Sequence, residues 1–195
     1  MSETKWTIRQ QSINFTDDTA DQIIWGSALP AISPGNQQGQ RIGNDIQYKY
    51  LKLRVGLSVS EASLVTTLRM RWVVFVPLKS WVDTDAVETK SFIFDIGPGD
   101  TSLRSTINNK NVRILQDKEF FIGTADTFSL NGLRATKLWR MGRKIWNKVS
   151  FRNGLNLATD PKDTVFWALL FPNITGTAQF QANLTLDQRI SFKDL

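Results

Sequence analysis

The dominant period along the chain is two. From Ala178 to Leu186 the residues Ala178, Phe180, Ala182, Leu184 and Leu186 alternate with Gln179, Gln181, Asn183 and Thr185. A half-buried antiparallel strand has this pattern, with one face on a core and the other in water. The alternation weakens around Asp187 and resumes at Ile190 and Phe192. Ile46 to Val59 predicts a second long strand. Leu51, Leu53, Val55, Leu57 and Val59 form its apolar face, and Tyr48, Tyr50, Lys52 and Arg54 the opposite one. A third runs from Leu68 to Val76, where Leu68, Met70, Trp72, Val74 and Val76 oppose Arg69, Arg71, Val73 and Phe75. Its second half is apolar on both faces, which predicts contact with another layer or another subunit. Val165 to Phe171 is apolar throughout, as in a strand covered on both sides. Lys144 to Arg152 alternates again, with Ile145, Val149 and Phe151 against Lys144, Lys148 and Arg152. Weaker candidates are Trp6 to Ile13, Val112 to Gln116 and Lys118 to Ile122.

The six prolines fall at or beyond the ends of these segments, where a missing N–H does no harm. Ser27 to Gly43 and Lys79 to Lys110 read as long loops, the second with a short helix around Asp83 to Lys90. About eight strands in 195 residues predict a single all-β domain in which two sheets face each other. The pattern alone leaves a jelly roll, an immunoglobulin-like sandwich and a lectin-like sandwich open.

Composition narrows function mainly by what is missing. The chain has no His and no Cys. That removes His bases, Ser-His-Asp and Cys-His nucleophiles, the common zinc sites and disulfides together. Paired carboxylates can hydrolyse glycosides without His, but no pair stands out, so the expectation is a protein that is not an enzyme and holds no cofactor. Asp83 and Asp85, or Asp17, Asp18 and Asp21, offer oxygen ligands for calcium without a complete calcium-loop spacing. No metal site is therefore assigned. The longest apolar runs are far short of the roughly 20 residues of a membrane helix, and the N-terminus lacks the apolar stretch of a secretory signal. Seven Trp residues raise a sugar-binding platform, but Trp72 and Trp167 occupy core-like positions.

The net charge is +6, which permits a polyanionic partner without demanding one. The strongest local feature is Arg134 to Arg152. It holds Arg134, Lys137, Arg140, Arg143, Lys144, Lys148 and Arg152, with Trp139, Trp146 and Phe151 interleaved and no Asp or Glu. Cationic side chains contact phosphates while aromatic faces stack on unpaired bases. A basic rim at a subunit contact, anchored by the Trp residues, is the alternative.

Several segments, in this order, resemble the coat proteins of circovirus-like circular single-stranded DNA viruses, and also the coat protein of satellite tobacco necrosis virus. They are Gly39-Gln40-Arg41-Ile42-Gly43-Asn44-Asp45-Ile46 leading into Leu51-Lys52-Leu53-Arg54-Val55, then Leu68 to Val76, then Arg113-Ile114-Leu115-Gln116-Asp117-Lys118-Glu119-Phe120, and finally Arg152-Asn153-Gly154-Leu155-Asn156-Leu157 onward. The resemblance covers most of residues 39 to 195. It implies an eight-stranded jelly roll whose copies, about sixty in the smallest icosahedral (T=1) shell, assemble around a single-stranded DNA or RNA genome inside the host cell to form a virion. It also implies that the sheet containing the first long strand faces the interior, which would put Tyr48, Tyr50, Lys52 and Arg54 on the inner wall.

One departure stands out. Such coat proteins usually begin with a long arginine-rich arm, whereas residues 1 to 20 here carry Lys5 and Arg9 against Glu3, Asp17 and Asp18. Either the arm has been removed or this lineage has none. About sixty copies at +6 supply about 360 positive charges against on the order of two thousand phosphates in a genome of that many nucleotides. The folded domain neutralises a minority of them. The expectation is thus a self-assembling structural protein, with a lectin-like module and a standalone single-stranded nucleic-acid-binding protein as rivals.

Overall fold

Strands that alternate in hydrophobicity hide one face each, and two sheets of them can share a single core. A computed structural model describes residues 3–16, 23–60, 67–79, 86–96, 103, 105–123, 133–145, 148–151, 164–171 and 181–195. The chain order is β1 (Thr4–Thr16), β2 (Ile23–Ser27), β3 (Asp45–Ser60), β4 (Thr67–Pro77), α1 (Ala86–Ile93), β5 (Phe94–Asp95), β6 (Thr106–Ile107), β7 (Val112–Gly123), β8 (Leu133–Lys144), β9 (Lys148–Ser150), β10 (Phe166–Leu170) and β11 (Gln181–Asp194). One sheet runs β1-β11-β3-β8, with β9 also on β3, and the other runs β2-β10-β4-β7. The chain is therefore an all-β sandwich. Its pairing is nested and antiparallel: β1 with β11, β2 with β10, β3 with β8, and β4 with β7.

The shared core holds the inward residues of both sheets, among them Leu51, Leu53, Val55, Leu57, Met70, Trp72, Val74, Leu184, Leu186 and Ile190. Trp72 on β4 stacks on Trp167 of β10 at 5.4 Å and 11°. Trp139 of β8, from the opposite sheet, meets Trp72 edge-on at 5.6 Å. Three indoles thus join the layers, each burying about 150–250 Å². Gly26 makes room for the stack, because a Cβ there would lie 3.1 Å from the Trp167 ring.

The β4 sheet is apolar on its other face too. Val73, Phe75, Ala168 and Leu170 pack there under Ile93, Phe94 and Val112. The second layer expected over β4 is thus supplied by the chain itself, through α1 and the β5–β6 hairpin. Arg71 fastens that cover. Its Nε and an Nη donate to the two Asp117 carboxylate oxygens at 2.9 and 2.7 Å, and the other Nη donates to the Ser105 carbonyl at 2.7 Å. Its guanidinium also lies 4.8 Å from the Phe94 ring centre.

Several expectations change in detail. The two weak candidates at 112–116 and 118–122 are one strand, β7, irregular where it skips Leu115 opposite Val74 and Phe75. Lys144 to Arg152 is not one strand: β8 ends at Lys144 and β9 starts at Lys148, although Ile145, Val149 and Phe151 are all buried as the alternation requires. β2 went unpredicted because five residues, the fourth of them Gly26, carry little periodicity. The segment before β3 is held by Arg41, 1% exposed, which donates to Asn44 Oδ1 at 3.1 Å and sits 4.4 Å over the Phe151 ring. Gly43 turns the chain into β3 with φ +104°, a conformation that favours glycine.

Tyr48 needs a correction. It is 2% exposed and belongs to the core, while Tyr50 is 41% exposed. On β11, Ser191 pairs with Tyr50 and Phe192 with Tyr48, so Lys49 is an extra residue. Such a bulge reverses which face the following residues occupy.

Candidate nucleic-acid interface

The outward face of the β3 sheet is built by four neighbouring strands whose register sets its side chains in rows. One row is Trp6–Ser191–Tyr50–Lys144, the next Ile8–Arg189–Lys52–Gly142, and the third Gln10–Asp187–Arg54–Arg140. At one end Lys193–Gln47–Lys148 precede them, and at the other Ser12–Thr185–Gly56–Leu138 follow. Seven cations therefore share this face in these rows, with Asp187 the one carboxylate.

Charges across this face are matched badly by design of the register. Arg189 lies opposite Lys52, and Arg54 stands between Arg140 on one side and Asp187 on the other. Like charges directly opposite are destabilising. Among the described residues, no carboxylate forms an ion pair with any of these four. The β4 sheet does the reverse: Arg69 pairs with Glu119, and Arg71 with Asp117 at 2.7 Å. The β3 sheet has an ion pair of its own, Lys5 with Asp194 at 2.9 Å, but it lies off this outward face, whose block of four cations has none among the described residues.

Aromatic groups flank the cations. Trp6 is 39% exposed, and the Arg189 guanidinium stands 4.6 Å from its ring centre. The hydroxyl end of Tyr50 covers Gly142, where a Cβ would collide with it. Between the rows are two shallow depressions. One, of about 440 Å³, is lined by Arg54, Gly56, Leu138, Arg140, Thr185 and Asp187. The other, of about 220 Å³, is lined by Ile8, Gln10, Lys52, Arg54, Asp187 and Arg189. Leu138, 76% exposed, adds an apolar edge to the first.

The basic stretch picked out by sequence divides between faces. Arg140 and Lys144 share the outward face with Lys52, Arg54 and Tyr50, and Lys148 joins them from β9. Lys137 and Arg143 follow the other parity, that of buried Trp139 and Met141. Arg143 is engaged structurally, donating from Nε and an Nη to the Leu115 carbonyl at 3.0 and 2.7 Å. Arg134 belongs to β8, but its side chain lies outside the described residues, as do Trp146 and Arg152. Sequence reasoning missed Arg189, Lys193 and Trp6. The alternation of Asp187, Arg189, Ser191 and Lys193 against Ile190 and Phe192 was the available signal.

Asp17, Asp18, Asp21, Asp83 and Asp85 lie outside the described residues. Among the described residues no group of three or more carboxylates is placed to hold a metal ion, and no helix is long and apolar enough to cross a membrane. Compared with known proteins, the chain matches no protein-family model and no curated sequence.

Proposed function

We propose that this chain is a coat protein: a jelly-roll subunit whose copies close into a small icosahedral shell around single-stranded nucleic acid, with the outward face of the β3 sheet turned toward the cargo. Support for the jelly roll comes from the nested pairing, in which the first long strand pairs with the last and each inner pair follows. A hairpin rolled up on itself has this connectivity, and it is the one that two facing sheets of an eight-stranded jelly roll require.

The observation that carries the functional reading is the set of unneutralised cations on the β3 sheet. The apolar face of the β4 sheet is covered by α1 and the β5–β6 hairpin, so among the described residues the basic face is the broad sheet surface left for a partner. Opposed cations cost the free domain stability, and a phosphate chain relieves that cost by replacing small counter-ions. A sugar-binding platform is less favoured, because Trp72, Trp139 and Trp167 are committed to the core.

Particle size tests the proposal, measured by light scattering and negative-stain microscopy at low and high salt. Uniform particles tens of nanometres or less across are expected, and their absorbance ratio at 260 and 280 nm reports the nucleic acid carried. A protein that stays monomeric under every salt and calcium condition refutes shell formation. If that monomer still binds single strands tightly, a standalone binding protein replaces the coat protein.

A further inference from the structure

We infer that the basic face selects an extended single strand over a duplex, with phosphates on Lys52, Arg54, Arg140 and Arg189 and a base stacked on Tyr50. This rests on the reading of that face as the cargo surface and adds how the cargo is recognised.

The four cations form a compact block. Lys52 and Arg54 are two residues apart on one strand face, about 6.8 Å along the strand, while Arg189 and Arg140 lie one strand to either side, about 4.8 Å away. Each pair opposes like charge, and no carboxylate among the described residues forms an ion pair with them. A flexible backbone can lay successive phosphates across such a block.

The aromatic group tells one nucleic acid from another. Tyr50 occupies the row next to Lys52 and is 41% exposed. Gly142 receives its hydroxyl end, since any Cβ there would collide with the tyrosine. The ring is therefore positioned before a ligand arrives, which lowers the entropy lost on stacking. In the same row, Trp6 with Arg189 against its ring offers a second planar surface. Bases of a single strand have free faces to stack on such groups, whereas those of a duplex are already stacked on each other. Recognition of this kind is tolerant of sequence, because every base has a π-face.

The test uses the full chain as dispersed subunits, checked by light scattering, with three probes: a 20-nucleotide deoxythymidine oligomer, a 20-base-pair duplex and inorganic polyphosphate. Tyr50→Ala is expected to weaken the oligomer roughly 5- to 100-fold and to leave duplex and polyphosphate nearly unchanged. Tyr50→Phe should bind like the parent, and Gly142→Ala, which displaces the ring, should behave like Tyr50→Ala. Replacing all four cations by Gln should weaken every probe and flatten the log–log salt slope for the oligomer by about 2.8. Near-ultraviolet circular dichroism checks that each variant is folded. The inference is overturned if Tyr50→Ala weakens oligomer and polyphosphate alike, if it weakens neither, or if the parent binds duplex as tightly as oligomer. A parent protein that ignores all three probes removes the cargo-surface reading itself.

Discussion

The ion pair beneath the β5–β6 cover should respond very unequally to loss of its two members. The Arg71 side chain is 7% exposed and the Asp117 side chain 32%. Asp117→Asn keeps the size of the group but leaves a nearly buried guanidinium without its counter-ion. Removing one member of a buried pair costs about 3–5 kcal/mol. The Ser105 carbonyl and the Phe94 ring still face Arg71, which puts the expected loss near the lower end, about 3 kcal/mol. For a chain of this size that is a fall of roughly 6–12 °C in Tm. Arg71→Met leaves Asp117 able to turn to water and puts an apolar side chain among apolar neighbours. Its expected cost is about 1 kcal/mol, and the double variant should cost less than the sum of the two. Urea unfolding of dispersed subunits, followed by Trp fluorescence, measures all three. Hydrogen exchange should rise in α1 and β5–β6 for Asp117→Asn in particular, because Arg71 ties that cover to β4. If Arg71→Met costs as much as Asp117→Asn or more, the stranded buried charge does not control the stability of this pair.

The two tyrosines of β3 give a second test: Tyr48→Ala should cost about 3–5 kcal/mol as a core truncation, and Tyr50→Ala less than about 1 kcal/mol. Equal costs by urea unfolding would contradict the bulge at Lys49. Arg140→Thr removes the like charge facing Arg54 and should stabilise the free subunit by about 0.2–1 kcal/mol while weakening its affinity for single strands. A variant that loses both stability and affinity would show that Arg140 makes a structural contact instead.

How much of this was legible can be judged strand by strand. β3, β4, β10 and β11 were visible because about nine or more residues of alternation, or an unbroken apolar run, leave few other ways to hide the side chains. β2 was not, since five residues around Gly26 carry no usable period. At the site, Lys52, Arg54, Arg140 and Lys144 were named from β3 and the basic stretch. Tyr48 was put on the wrong face and Lys137 and Arg143 were grouped with residues of the opposite parity. Period two assigns faces only while it is unbroken, and a single extra residue at Lys49 reverses them.

By itself, the sequence determined the class of structure and excluded whole classes of chemistry. Alternation specifies strands, and a chain with no His or Cys cannot perform the reactions those residues carry. Only the tertiary structure decided which cations meet. Arg189 reaches Lys52 across 137 positions of sequence, and Arg140 reaches Arg54 across 86, through pairings between strands that no local pattern encodes. The same pairings decided that Arg69 and Arg71 find carboxylates on β7 while Lys52, Arg54, Arg140 and Arg189 on the outward face of the β3 sheet form no ion pair among the described residues. Local physics chooses strand or helix residue by residue, but a surface is made by neighbours distant in sequence, and the register that brings them together is set by the burial of the other face.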